Sequence, residues 1–120
     1  MRDNITIARI YFDYGQSVKE QSFFKRIWNN SLRNLLLKKA KEENIKQANL
    51  FIAKSGYLNF EAIKNNFSET PSFKNPICVE LIDSDEHIEA FLTVNRELLE
   101  SSTIIIVNPN SQVVNVKRDK

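Results

Sequence analysis

The chain has 120 residues, 42% of them hydrophobic and 27% charged, with a formal net charge of +2. That length fits one domain, 1–120, able to bury roughly two-thirds of its unfolded surface without disulfide or metal staples. The single cysteine, Cys78, excludes an internal disulfide framework, and no run approaches the ~18 apolar residues of a membrane span. The charge is too small to imply a nucleic-acid partner.

Ile5 to Tyr14, ITIARIYFDY, carries apolar residues on both alternating faces, which predicts a central strand closed by Gly15. From Ser17 to Asn44 the period becomes helical, with Leu32, Leu35, Leu36 and Ala40 on one side and lysines opposite. One helix over that span would exceed the usual length, and Asn29-Asn30-Ser31 offers capping side chains, so a break is expected there. Upstream, Phe23, Phe24, Ile27 and Trp28 are expected to pack on the domain or on a neighbouring subunit. Asn44 suits the left-handed position that stops a helix. Gln47 to Ser55 is an apolar run of strand length, closed by Gly56.

Tyr57 to Asn75 is polar and aperiodic, punctuated by Pro71 and Asn75-Pro76, and reads as a long mobile or functional connection. Pro76 to Asp83, PICVELID, is the next strand, and the apolar neighbours of Cys78 predict a buried thiol. Asp83 is expected to cap the following helix, with Glu86 as its capping-box partner. Ile88, Phe91, Leu92, Asn95, Leu98 and Leu99 make one face of that helix. Ser102 to Asn108 is a strongly apolar strand, and after a Pro109-Asn110 turn Gln112 to Lys117 is a short last one.

The order β-α-β-β-α-β plus a terminal strand defines the α+β class. Right-handed crossovers fold it into a ferredoxin-like βαββαβ sandwich with an extra C-terminal strand. Helices then lie on one face of the sheet. The apolar residues of the other face ask for cover, most economically a second subunit.

Two stretches carry a resemblance. LRNLLLKKAKEENIKQANLFIAKSGY is a Leu-led helix with Lys39-Ala40 and Glu42, then a strand into Gly56-Tyr57. PICVELIDSDEHIEAFLTVNRELL follows a long loop and brings Pro76, Glu80, Asp83 and Phe91-Leu92. Together they resemble the uncharacterised bacterial branch of the PII-like signalling proteins, from about Ser31 to Val116. The resemblance implies a non-catalytic regulator, a homotrimer with clefts between subunits; a cytoplasmic location is expected from the lone cysteine and from the lack of a signal-peptide pattern in MRDNITIARIYF. In the better-known relatives those clefts hold adenine nucleotides, and the long loop reaches a membrane transporter or an enzyme. The family's glycine-rich stretch is reduced here to AKSGYLN.

No phosphate-binding P-loop, zinc-protease pair or Cys/His metal cluster occurs in the sequence, and no cofactor is expected. The sole histidine, His87, and the acidic residues Asp83, Asp85, Glu86 and Glu89 fit the start of a helix. For an anionic effector the candidate residues are Lys54, Gly56 and Tyr57, joined by Lys117 and Arg118. The competing expectation is an interaction module that docks a partner through the long loop or through the Phe23–Trp28 stretch, without an effector. An acylphosphatase-type enzyme needs an arginine in a loop before the first helix, and YGQSVKEQ has none.

Overall fold

A computed structural model describes residues 2–15, 31–65, 75–107 and 112–114. In chain order they form β1 (Arg2–Asn4), β2 (Thr6–Asp13), α1 (Leu32–Glu42), β3 (Gln47–Ile52), β4 (Ser55–Gly56) and β5 (Lys64–Asn65). There follow β6 (Pro76–Asp83), α2 (Asp85–Val94), β7 (Thr103–Val107) and β8 (Gln112–Val114). The expected packing of Phe23 to Trp28 lies outside the described residues, as do Lys117 and Arg118.

The main sheet has the order β3-β6-β2-β7, with every neighbouring pair antiparallel. Strands β2 and β3 therefore run parallel with β6 between them, and β6 and β7 run parallel with β2 between them. These are the two split crossovers of the ferredoxin-like sandwich, with β2 as a central strand. The extra C-terminal strand is present as well. It pairs with β1, Arg2 opposite Val114, in a separate two-stranded ribbon.

Strand parity sorts the two faces. Ala8, Ile10 and Phe12 from β2 and Ile77, Val79 and Leu81 from β6 are buried under the helices. Leu32, Leu36 and Ala40 recur every fourth residue along α1 and fill the same core with Ile88 and Phe91 of α2.

Helix α1 starts where the capping side chains predict. Ser31 is its N-cap, the hydroxyl accepting from the Asn34 N–H at 3.3 Å. It ends at Asn44, whose φ is 60°, with the Ile45 N–H on the Ala40 carbonyl at 2.9 Å and the Asn44 N–H on that of Lys41 at 3.2 Å. That bond pattern is a Schellman motif, and Ile45 and Ala40 bury its hydrophobic contact.

Two expectations change. Cys78 is on a strand, but its apolar neighbours Ile77 and Val79 belong to the helix-covered face, so the thiol points to the other one. It is half-buried there, opposite Tyr11 and Phe51. Burial, the main cause, pushes its pKa up.

The connection after Gly56 is not wholly irregular, because β4 and β5 pair, Gly56 opposite Lys64. Between them the Glu61 N–H bonds the Leu58 carbonyl at 3.0 Å, closing a turn with φ of 50° at Asn59 and 64° at Phe60. Positive φ at both central residues is the type I′ pattern, normally Asn-Gly. A bulky residue there is strained, and Phe60 is 99% exposed, so no packing among the described residues offsets it. Phe60→Gly is expected to steady the turn by up to about 1 kcal/mol, seen as slower exchange of the Glu61 amide. Faster exchange would show that the phenylalanine holds the turn.

Candidate functional site

The sheet has two ends, each drawn together by one buried polar side chain. At the first, β2 and β3 finish and β6 begins. Asn75 is fully buried there. Its side-chain Nδ2 donates to the Ala53 carbonyl at 3.0 Å, and its own carbonyl accepts from the Tyr14 N–H at 2.8 Å. The Ala53 N–H bonds the Pro76 carbonyl at 2.8 Å. Arg33, from the first turn of α1, donates through Nη1 to the Tyr14 carbonyl at 2.8 Å and lies 3.9 Å over the Tyr14 ring.

This network fixes the strand ends from which the candidate residues project. Lys54 follows Ala53 directly and is exposed, and Tyr57 is exposed just past Gly56. Gly56 has no positive φ, and a Cβ added to it would meet only Pro76 Cγ at 3.6 Å and Ala53 Cβ at 3.8 Å. Those are ordinary contacts, so the fold itself does not require glycine here. In the sequence Arg33 is one of 17 lysines and arginines. Its pinned position shows only in three dimensions, since it depends on Tyr14, 19 residues earlier.

Lys54, Gly56 and Tyr57 are near neighbours in sequence, Gly56 in β4 and the other two on either side of that strand. Strand β8, from which the chain leads towards Lys117 and Arg118, pairs with β1. That ribbon precedes Thr6, whose partner is Asp83 at the opposite end of the sheet from Ile52. Strand β8 thus pairs at the end of the sheet away from Ile52, and Lys117 and Arg118 lie outside the described residues.

The second end is organised by Asp83. Its Oδ2 accepts from the Lys46 N–H at 2.8 Å and its Oδ1 from the Ser84 N–H at 2.6 Å, with a ring nitrogen of His87 at 3.0 Å. Burial pushes the Asp83 pKa up, but the bonds from Ser84, Lys46 and His87 outweigh it and hold the carboxyl below its ordinary value. The expected capping box is replaced. Ser84 is the N-cap of α2, accepting from the His87 N–H at 3.3 Å, because the Asp83 carboxylate is engaged with Lys46 across the fold. Thr6 donates its hydroxyl to Asp85 at 3.2 Å. Among the described residues no three His, Cys, Asp or Glu side chains gather as a metal site. No helix among them is long and apolar enough to cross a membrane.

A four-stranded antiparallel sheet with both helices on one face and a ribbon rising from the end of β3 defines an α+β protein of the PII-like fold. The chain belongs to the DUF190 family (Uncharacterized ACR), which matches residues 6–110. Among solved structures it is similar to CPII, a nitrogen regulatory PII-like protein from Thiomonas intermedia, bound to ADP, AMP and bicarbonate. The identity is 8%, the TM-score 0.59, and the match covers 94% of this chain and 89% of that one. A complex of the same protein with ADP, AMP and acetate gives 10% identity and a TM-score of 0.56, covering 96% and 93%. A protein named as PII-like and signaling, from Thermus thermophilus, gives 16% identity and a TM-score of 0.54, covering 94% and 92%. No curated protein matches the chain. The resemblance read from the sequence thus holds for family and fold.

Proposed function

We propose that the chain is a PII-like regulator, not an enzyme, that senses a small anionic effector, an adenine nucleotide above all. The effector lies in clefts between the subunits of a cytoplasmic homotrimer. The segment from Tyr57 to Asn75 contacts a partner, a membrane transporter or an enzyme. One observation carries the reading: the fold is shared over 94% of the chain with a protein whose structure holds ADP, AMP and bicarbonate.

The local chemistry supports it. Lys54 is an exposed cation two residues from a half-buried glycine, which carries no side chain of its own to hinder a phosphate. Lys117 and Arg118 follow a strand at the other end of the sheet, so in this reading they reach Lys54 from a neighbouring subunit. A trimer supplies that neighbour.

Titration calorimetry with AMP, ADP and ATP, with and without bicarbonate, tests the reading. Binding tighter than about 1 mM is expected for at least one nucleotide. Lys54→Ala with Lys117→Ala is expected to weaken it about tenfold or more, since each charge-assisted bond is worth about 1.5–3 kcal/mol. Gly56→Ala is expected to weaken binding while leaving the melting temperature in place. Absence of binding by an intact trimer would favour the second reading, an interaction module without effector. The fully exposed, strained Phe60 at the ribbon tip is the observation on its side.

A further inference from the structure

Arg33 is a half-buried cation with no anion beside it. Its Nη1 donates to the Tyr14 carbonyl at 2.8 Å, and its guanidinium lies 3.9 Å from the centre of the Tyr14 ring. Among the described residues no carboxylate pairs with it. Asp13 is next to Tyr14 in the chain, but strand alternation turns it to the helix-free face, whereas Tyr14 packs on the core under the helices. A tie between α1 and the end of β2 needs one donor. A guanidinium brings five, and one of Arg33's is taken among the described residues. A charge drawn partly out of water without a counter-ion costs stability. An anion seated on the remaining donors removes that cost.

The same end of the sheet carries two more cations. Tyr14 is bonded to Asn75, and Ala53 to Asn75 and Pro76, so the ends of β2 and β3 flank the start of β6. Those two ends stand two strand spacings apart, about 10 Å. Lys54 follows Ala53, and Lys64 lies opposite Gly56 in the β4–β5 ribbon. Of the three side chains, only that of Arg33 is held by described partners.

We propose that Arg33 anchors the phosphate end of the effector. Its guanidinium donates to two oxygens of one phosphate group, and Lys54 and Lys64 balance the remaining charge. This role rests on the nucleotide reading above and adds the residue that positions the phosphates. The planar fork matches two phosphate oxygens at once, which an ammonium group does not. Stacking on Tyr14 sets the plane of the fork before the ligand arrives, so little side-chain freedom is lost on binding. Adenosine has the base and ribose of ADP without the phosphates, so loss of the anchor falls on ADP alone.

Titration calorimetry of ADP, adenosine, inorganic pyrophosphate and bicarbonate, each alone, against full-length wild type, Arg33→Lys and Arg33→Gln tests this role. Arg33→Lys keeps the charge and one bond to the Tyr14 carbonyl, so its Tm is expected within a few degrees of wild type. Its affinity for ADP is expected to fall about tenfold or more, with that for adenosine unchanged. Pyrophosphate is expected to follow ADP, and Arg33→Gln, which also removes the charge, to lose more. Unchanged ADP affinity in both variants overturns the inference and leaves the nucleotide reading standing. Equal losses for ADP and adenosine assign Arg33 to the fold alone and overturn it too. A loss confined to bicarbonate overturns the phosphate assignment. A wild type that binds pyrophosphate through Arg33 but no nucleotide keeps the anchor and removes the reading; one that binds neither removes both. Should both variants melt far below wild type, NMR of the wild-type guanidinium decides. The Arg33 Nε–H signal is expected to shift with ADP and not with adenosine, and a signal unmoved by ADP overturns the inference.

Discussion

Phe91→Ala is expected to lower stability by about 3–5 kcal/mol, the range for deleting a large buried aromatic ring. Phe91 is 1% exposed and sits on the inner side of α2, in the core formed with Ile10, Val79, Leu36 and Ile88. Its backbone is also held, because the Phe91 carbonyl accepts from both the Asn95 N–H and the Asn95 side chain, at 3.0 and 2.9 Å. Asn95 bonds Glu43 at 3.0 Å in turn, so the end of α2 is tied to the end of α1 and resists closing over a cavity. The loss should therefore lie in the upper part of the range. For a domain of this size it corresponds to a fall in Tm of about 10–20 °C. Val94→Ala, one turn on and 72% exposed, is the control, expected within about 0.5 kcal/mol of wild type. Urea unfolding of both variants checks the pair. Equal effects would mean that α2 is not docked as the structure has it.

What the sequence disclosed about this fold was local or periodic. The alternation in Ile5 to Tyr14 marks a strand flanked on both edges, and the Leu32–Ala40 stripe gives α1 its buried side. Asn44 stops the helix by a property of its own side chain, its tolerance of the left-handed region. The signals that failed needed partners distant in sequence. Asp83 and Ser84 are both good caps, and the choice between them is made by the Lys46 N–H, 37 residues away, which takes the carboxylate. Cys78 looked buried because its neighbours are apolar, yet those neighbours line the opposite face. The β4–β5 ribbon was hidden because its turn uses Asn59-Phe60 where a glycine is usual. For the candidate site, residue types were legible and placement was not. Nothing in the residues of β8 says that it pairs beside Arg2 rather than near Gly56.

Asp83→Asn should cost about 1.5–3 kcal/mol near neutral pH, the range for hydrogen bonds to a charged group, and the cost should shrink in acid. The wild-type carboxylate accepts from two backbone N–H groups, those of Lys46 and Ser84, one on each oxygen. An asparagine keeps one acceptor oxygen and turns an NH2 towards the other donor, leaving that N–H without a partner in a buried place. The pH dependence follows from the direction of the Asp83 shift. Burial acts to raise its pKa, but the bonds from Ser84, Lys46 and His87 prevail, so the folded value lies below the unfolded one of about 3.9. As acid is added, the unfolded chain takes up its proton first, and stability falls with pH. The contribution is therefore fully present above the unfolded value and is lost as the pH drops through the folded one. Denaturation of wild type and variant by urea, from about pH 8 down to about pH 3, should show a gap that is constant above about pH 5 and narrows below about pH 4. A gap that stays constant to the acid end would mean that the lost bonds are independent of the charge on Asp83. A gap that widens there would reverse the sign of the shift.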